Sequence, residues 1–326
     1  MTSRTGPSGS PLPAASGVRA PWTAVPEHLR ARVLDILGGG EVVEAVSQTG
    51  GFSPGPAVRL RTSAGRRAFV KAVSAETNPD SPVMHRREAA YSAQMPEYAP
   101  VPKLLGALDE DGWVVLVFEE IDGRNPGPDW DPDELRRTVE ALGELSALLT
   151  PSPIDAPPVA ERLVGFTGWR SLATAHAAGE DDLAWLDPWA VGRLERLAAI
   201  EEGMAALCAG DTLVNLDVRA DNILIAADRV YFVDWPWAAR GAAWLDLALF
   251  VPNVWMYGGP EPARVVMEHP VLAAADPEAV RAFAVGLIGM ITYASRQPDP
   301  PGLPTLRPFQ QAFSAAGLEW LRSLMD

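Results

Sequence analysis

The stretch Leu213 to Trp237 constrains this chain more than any other. It reads LVNLDVRADNILIAADRVYFVDWPW. Asp217 is followed by Asn222, a short apolar strand (Ile223 to Ile225), a turn, a second apolar strand (Val230 to Val233) and then Asp234. A strand–turn–strand hairpin carries Asn222 and Asp234 at its two ends and so brings them together. Magnesium takes oxygen ligands in octahedral geometry, from one or two protein groups together with phosphate and water. A carboxylate beside an acceptor hydroxyl orients it and takes its proton. Asp217, Asn222 and Asp234 suit these jobs, which are the ones phosphoryl transfer needs, because that reaction depends on positioning and charge neutralisation. The plain alternative is a βαβ-type fragment with incidental surface carboxylates.

The rest of the chain bounds the reading. At 326 residues it has room for two lobes and a sizeable core. The balance of 27 Lys and Arg against 42 Asp and Glu gives a net charge of −15. That excludes nucleic acid and anionic membrane surfaces as natural partners. It suits a cationic small molecule, or solubility alone. The single cysteine, Cys208, excludes a disulfide framework and points to a reducing cytoplasm. His28, His85, His176 and His269 lie too far apart to read as a metal cluster. No signal-peptide pattern opens the sequence. The uncharged run over 282–294 is too short to span a bilayer. Nothing reports an oligomeric state.

In chain order, residues 1–21 are rich in Ser, Gly, Pro and Ala and predict a disordered tail. A helix follows from Pro26 to the glycines at 38–40, with Leu29, Val33, Ile36 and Leu37 on its apolar face. Strands are predicted over 41–48, 57–61 and 68–73. The turn between the first two, Thr49 to Gly55, either lays backbone N–H groups and Ser53 over phosphates or is a plain hairpin turn. Lys71 shares a strand face with Phe69 and Val73, so it needs an anionic partner if that face is buried, or else sits on a solvent edge. Glu88, on a helix over 82–95, either pairs with Lys71 or is solvated. Strands over 103–108 and 113–119 lead to Glu119, Glu120, Ile121 and Asp122, a hinge between a β-rich part and a helical part. Helices are predicted over 135–149 (capped by Asp131 or Asp133), 183–208 with a break near Pro188, 242–255, 262–268, 277–295 and 308–325. Residues 150–180 read as loops and one short helix.

The spacing of Asp217, Asn222 and Asp234, with DNILI, VYFVDW and the later GAAWLDLA (241–248), resembles the protein-kinase-like superfamily. Within it the likeness is to the aminoglycoside phosphotransferase and choline kinase-like family, in order along nearly all the chain after about residue 40. The resemblance implies an α+β, bilobal protein-kinase-like fold. Residues 22–121 form a β-rich nucleotide-binding lobe with a helix, and 122–326 a mostly helical catalytic and acceptor-binding lobe. It implies Asp217 as catalytic base, Asn222 and Asp234 as magnesium ligands, and Lys71, held by Glu88, on the α- and β-phosphates. Ser53 and its turn lie over the phosphates, the carbonyl of Glu119 and the N–H of Ile121 read the base, and Asp246 braces the catalytic loop. Asn215 stands where the family usually has His. Arg219 either contacts the γ-phosphate as a second catalytic group or pairs with Asp221. Trp235 and Trp237 line the acceptor pocket or pack the core. No Ser, Thr or Tyr lies between Asp234 and Asp246, so a protein-kinase activation segment is missing.

The expected activity is transfer of the γ-phosphate of ATP or GTP, with Mg2+, to a hydroxyl of a cationic small molecule. The alternative is a catalytically weak nucleotide-binding or regulatory pseudokinase on the same fold, motivated by Asn215 and the irregular turn. The acceptor itself has no readable motif.

Overall fold

The computed structural model describes residues 19–127 and 129–326, so most of the expected tail, residues 1–18, lies outside the described residues. Residues 19–21 belong to that expected tail, but they are placed against the body of the protein. A single 3-10 turn, Trp22–Ala24, follows them. Trp22 and Val25 are buried there.

Helix α1 (Glu27–Ile36) starts after Pro26 and stops at Gly38–Gly40, all three at positive φ, where a side chain would be strained. Five strands follow: β1 (Val42–Ser47), β2 (Ala57–Thr62), β3 (Arg67–Ser74), β4 (Leu104–Glu110) and β5 (Trp113–Glu119). They pair antiparallel in the order β1-β2-β3-β5-β4. Alternation along β3 and β5 divides the side chains between two faces. Val70, Ala72, Val115 and Val117 pack with Leu29 and Val33 of α1. Val73, Val114, Leu116 and Phe118 pack on the other face, toward Ala89 of α2 (Ser81–Ser92). Lys71 falls on this second face.

The chain leaves the sheet through β6 (Gly123–Arg124) and enters a helical body. Helix α3 (Pro132–Leu148) is capped by Asp131, whose carboxylate accepts from the N–H of Asp133 and Glu134. Then come α4 (Ala160–Leu163), α5 (Gly168–Ala177), α6 (Pro188–Val191) and α7 (Leu194–Leu207). The region 150–180 therefore holds two helices where one was expected. A β-layer follows: β7 (Thr212–Val214), β8 (Ile223–Ala226), β9 (Val230–Phe232) and β10 (Ala239–Gly241). Strands β7 and β10 pair with each other, and β6, β8 and β9 form a second small sheet.

The C-terminal helices are α8 (Leu245–Gly258), α9 (Pro260–Met267), α10 (Pro270–Ala273), α11 (Pro277–Ala294) and α12 (Leu306–Met325). Helix α11 is the centre of this body. Phe283, Val285 and Ile288 are fully buried among residues of α5, α7, α8 and α12. Gly168 of α5 allows the closest crossing, since a Cβ there would stand 1.9 Å from the carbonyl oxygen of Gly289. No helix among the described residues is long and apolar enough to cross a membrane.

Candidate active site

The hairpin of β8 and β9 pairs Ile223 with Phe232 and Ile225 with Val230. The N–H of Val233 donates to the carbonyl of Asn222 at 3.0 Å, so Asn222 and Asp234 sit side by side at the open end. Asp234 and Leu216 both take positive φ (66° and 60°). Non-glycine residues held there cost about 1–3 kcal/mol each, so the surroundings must fix them.

They do so through Asn215 and Asp246. The carboxylate of Asp246 accepts from the N–H of Asn215 at 2.8 Å and of Leu216 at 2.9 Å. Asn215 uses both ends of its amide: Nδ2 donates to the carbonyl of Asp234 at 3.0 Å, and Oδ1 accepts from the N–H of Asp217 at 2.9 Å. The residue at the expected histidine position thus ties the backbone of Asp217 to that of Asp234. At the other end of the loop, Asn253 of α8 accepts from the N–H of Ala220 at 3.1 Å.

Asp217 is held on both carboxylate oxygens. Nδ2 of Asn222 donates to Oδ2 at 3.0 Å, and Arg219 Nη1 donates to Oδ1. Arg219 also makes a two-pronged bond to Asp221, at 3.0 and 2.9 Å. Its guanidinium lies 5.4 Å from the ring centre of Phe52, in the glycine-bearing turn, and 5.8 Å from that of Phe309 in α12. These two rings meet edge-on at 5.0 Å. Burial pushes the Asp217 carboxyl up to about 7, against the pull of Arg219. A base near neutrality is well matched to taking a hydroxyl proton.

Lys71 donates to both oxygens of Glu88, at 2.7 and 2.9 Å, and to Asp234 Oδ1 at 2.9 Å. The solvent-edge alternative for Lys71 fails because β3 is the central strand. Burial alone would lower this lysine, but the carboxylates of Asp234 and Glu88 outweigh it and raise it, so it stays charged. Burial also disfavours charge on Asp234, yet Lys71 holds that carboxyl below its ordinary range. Asn222 and Asp234 offer oxygen donors only. No group of three His, Cys, Asp or Glu side chains suited to a metal gathers among the described residues. This donor set fits a hard cation that completes its shell with phosphate and water rather than with a protein cage.

Between sheet and hairpin lies a cavity of about 240 Å³. Ser53, Lys71, Glu88, Glu119, Ile121, Asn222 and Asp234 all line it. Asp217 and Arg219 adjoin it through Asn222 and Asp221. Glu119 is fixed at the hinge by its N–H to the carbonyl of Lys103 (2.9 Å) and its Oε1 to the N–H of Lys103 (2.8 Å).

The family model described as the phosphotransferase enzyme family matches residues 49–283. The chain belongs to that family. This phosphotransferase also superposes on solved relatives over almost its whole length. The aminoglycoside phosphotransferase APH(4)-Ia aligns at 13% identity and a TM-score of 0.59, over 90% of this chain and 98% of that one. The choline kinase LicA from Streptococcus pneumoniae aligns at 14% and 0.60, over 90% and 98%. A thermostable APH(4)-Ia mutant, in a ternary complex with ADP and hygromycin B, aligns at 14% and 0.58, over 90% and 97%. At such identities the likeness establishes the protein-kinase-like fold. No curated protein matches the chain in sequence.

Four residues of the phosphotransferase site escaped the sequence reading: Phe52, Asn253, Phe309 and Arg19. Of these Asn253 had a signal, since it stands two helical turns after Asp246 on one face of α8. The two tryptophans separate. Trp235 is buried, with Nε1 donating to the carbonyl of Phe232, and Trp237 is 39% exposed.

Proposed function

We propose that this phosphotransferase moves the γ-phosphoryl group of ATP or GTP to a hydroxyl of a cationic small molecule. The observation that carries the reading is Lys71 Nζ, 2.7 Å from Glu88 and 2.9 Å from Asp234. A sheet lysine, a helix glutamate and the hairpin aspartate converge on one cavity. Residues up to the hinge at 121 supply the nucleotide walls, and 122–326 supply the catalytic groups and the acceptor pocket. The base stacks between the apolar walls, its edge read by the carbonyl of Glu119 and the N–H of Ile121. Ser53 and its turn close over the phosphates, and Lys71 swings from Asp234 to the α- and β-phosphates while Glu88 keeps hold of it.

Asn222 and Asp234 would hold Mg2+, which, when bound, neutralises charge on the phosphate oxygens. Asp217 orients the acceptor hydroxyl and takes its proton. Arg219 leaves Asp217 for the γ-phosphate and keeps Asp221 as its anchor. An ion that exchanges one carboxylate for a phosphate loses little, because both offer charged oxygen acceptors. The acceptor's positive charge is supported by the net charge of −15. Structural neighbours named for aminoglycosides and for choline point the same way. The buried, lone Cys208 suits a cytoplasmic setting. The catalytically weak alternative loses its motive at Asn215, which makes both bracing bonds.

Asp217→Asn tests the assignment. Nucleotide affinity, read by calorimetry, stays within a few-fold, and transfer to a panel of cationic hydroxyl compounds falls by about 10²–10⁴. Transfer at the wild-type rate would remove Asp217 from the role of base.

A further inference from the structure

Arg19 lies in the stretch that composition assigns to a tail, yet it reaches the nucleotide cavity and lines it beside Lys71, Asn222 and Asp234. The arm that carries it is anchored. Trp22 and Val25, a few residues on, are buried in the core under the sheet. The guanidinium donates through Nη1 to the carbonyl of Ser53 and through Nη2 to the carbonyl of Gly50. The turn is shaped around it: Gly51 takes φ +87°, and a Cβ there would stand 3.0 Å from Nη2.

The partners of this cation set it apart from its neighbours in the cleft. Lys71 is paired with Glu88 and Asp234, Arg219 with Asp217 and Asp221, and Arg59 with Glu120. Arg19 forms no ion pair among the described residues and is held by two neutral carbonyls, while its Nε is buried without a partner. A desolvated cation without a counter-ion is unfavourable. Burial lowers its proton affinity even though Asp234 and Asp221 act on it through space. A plug that merely closed an empty site would do best by pairing with Asp234 directly. Two carbonyls that can be exchanged, a planar fork of donors and a position under the phosphate-side turn fit an incoming polyphosphate.

We propose that Arg19 is a phosphate-binding residue of the nucleotide site: carried under the Gly50–Gly55 turn by the N-terminal arm, its guanidinium exchanges the two turn carbonyls for oxygens of the nucleotide polyphosphate. The proposal rests on the nucleotide reading given above. It makes the segment before the first strand part of the active site and gives the phosphates a cation besides Lys71 and Arg219.

The test compares wild type, Arg19→Ala and Arg19→Lys as full chains, titrated calorimetrically with Mg-ATP, ADP and adenosine. Arg19→Ala is expected to weaken Mg-ATP and ADP at least tenfold and to leave adenosine within twofold. Arg19→Lys recovers part of the loss, because it keeps the charge and gives up the fork. Unchanged or tighter Mg-ATP binding by Arg19→Ala would overturn the proposal in favour of a plug. An equal loss for adenosine and Mg-ATP would overturn it in favour of a turn brace. In either case wild-type binding leaves the kinase reading standing, whereas wild type that binds no nucleotide overturns both.

Discussion

At position 215 one amide serves as donor to the carbonyl of Asp234 and acceptor for the N–H of Asp217. It is almost wholly buried, so neither backbone group has water as a substitute. Asn215→Ala leaves both unpaired, at about 1–3 kcal/mol each. Since the two groups fix Asp217 and Asp234, the proposed base and metal ligand, the loss appears in turnover: kcat falls by about tenfold or more, each 1.4 kcal/mol of misplacement being a factor of ten. Nucleotide affinity, set by the cavity walls, stays within about threefold. Equal losses in turnover and affinity would show that Asn215 shapes the whole cleft instead. A second residue gives a pH signature. His85 is buried beneath the site, with Nδ1 3.1 Å from the carbonyl of Ser81. Burial, reinforced by the charge of Lys71, drives its pKa down to about 3. Its ordinary value is about 6.5, so below that the unfolded chain takes a proton that the folded chain refuses. Stability contributed by neutral His85 is present above about pH 6.5 and is lost as pH falls toward 3, by about 1.4 kcal/mol per pH unit. His85→Phe removes this dependence. Between pH ~4 and ~6 its unfolding free energy should slope less steeply than that of wild type, by about one proton. Parallel slopes would mean that His85 already titrates normally.

Helix α8 shows the same logic one level up. Asp246 at its start holds the N–H groups of Asn215 and Leu216, and Asn253, two turns on, holds that of Ala220. One helix face therefore fixes both ends of the loop from Asn215 to Ala220. Pro252 beside it removes the N–H that would bond to the carbonyl of Ala248. Asn253→Leu keeps a side chain of similar shape but leaves the Ala220 N–H without a partner. We expect a stability loss of about 1–3 kcal/mol in urea unfolding and a fall in single-turnover transfer, with Mg-ATP affinity preserved. If transfer is untouched, the brace at Asp246 alone suffices. What the sequence disclosed about elements follows from the range of the forces involved. Strands β2 and β3 were legible because apolar and polar residues alternate along much of each, and β5 because it is a continuous apolar run that follows a turn. The loop from Asp217 to Asp234 was legible because its chemistry is local. Strands β7 and β10 were not, since three residues carry no period and only their mutual pairing defines them. Helix α5 was obscured by Gly168 and Thr167 at its start, where tight packing on α11 overrides weak helix propensity. Arg19 was hidden by a neighbourhood of small residues, because its partners Gly50 and Ser53 lie 31 and 34 positions away.

Across the whole molecule, the sheet and the helical body meet at a cleft in which Lys71 and Arg219 pair with acidic neighbours. Lys71 of the sheet reaches Asp234 of the hairpin, Phe52 of the turn packs on Phe309 of α12, and Asn78 Nδ2 donates to the carbonyl of Pro301 at 3.4 Å. On the proposed reading, nucleotide entry exchanges the Lys71–Asp234 pair for lysine–phosphate and aspartate–metal contacts. Binding should therefore depend strongly on magnesium. Without it, Asp234 would face the phosphates as a bare anion once its lysine is drawn away. A ligand at ~100 times its dissociation constant adds about 2.7 kcal/mol to the stability of the folded state. In a chain of this size that is a rise of several degrees in the unfolding midpoint. We expect this rise with Mg-ATP or Mg-GTP and a much smaller one with nucleotide in the presence of EDTA. Asp234→Asn removes both the charge of the proposed metal ligand and the repulsion, so its shift with nucleotide should be nearly the same with and without magnesium. A shift in that variant that still depends on magnesium as in wild type would place the metal elsewhere, and the role given to the end of the β8–β9 hairpin would have to be reassigned.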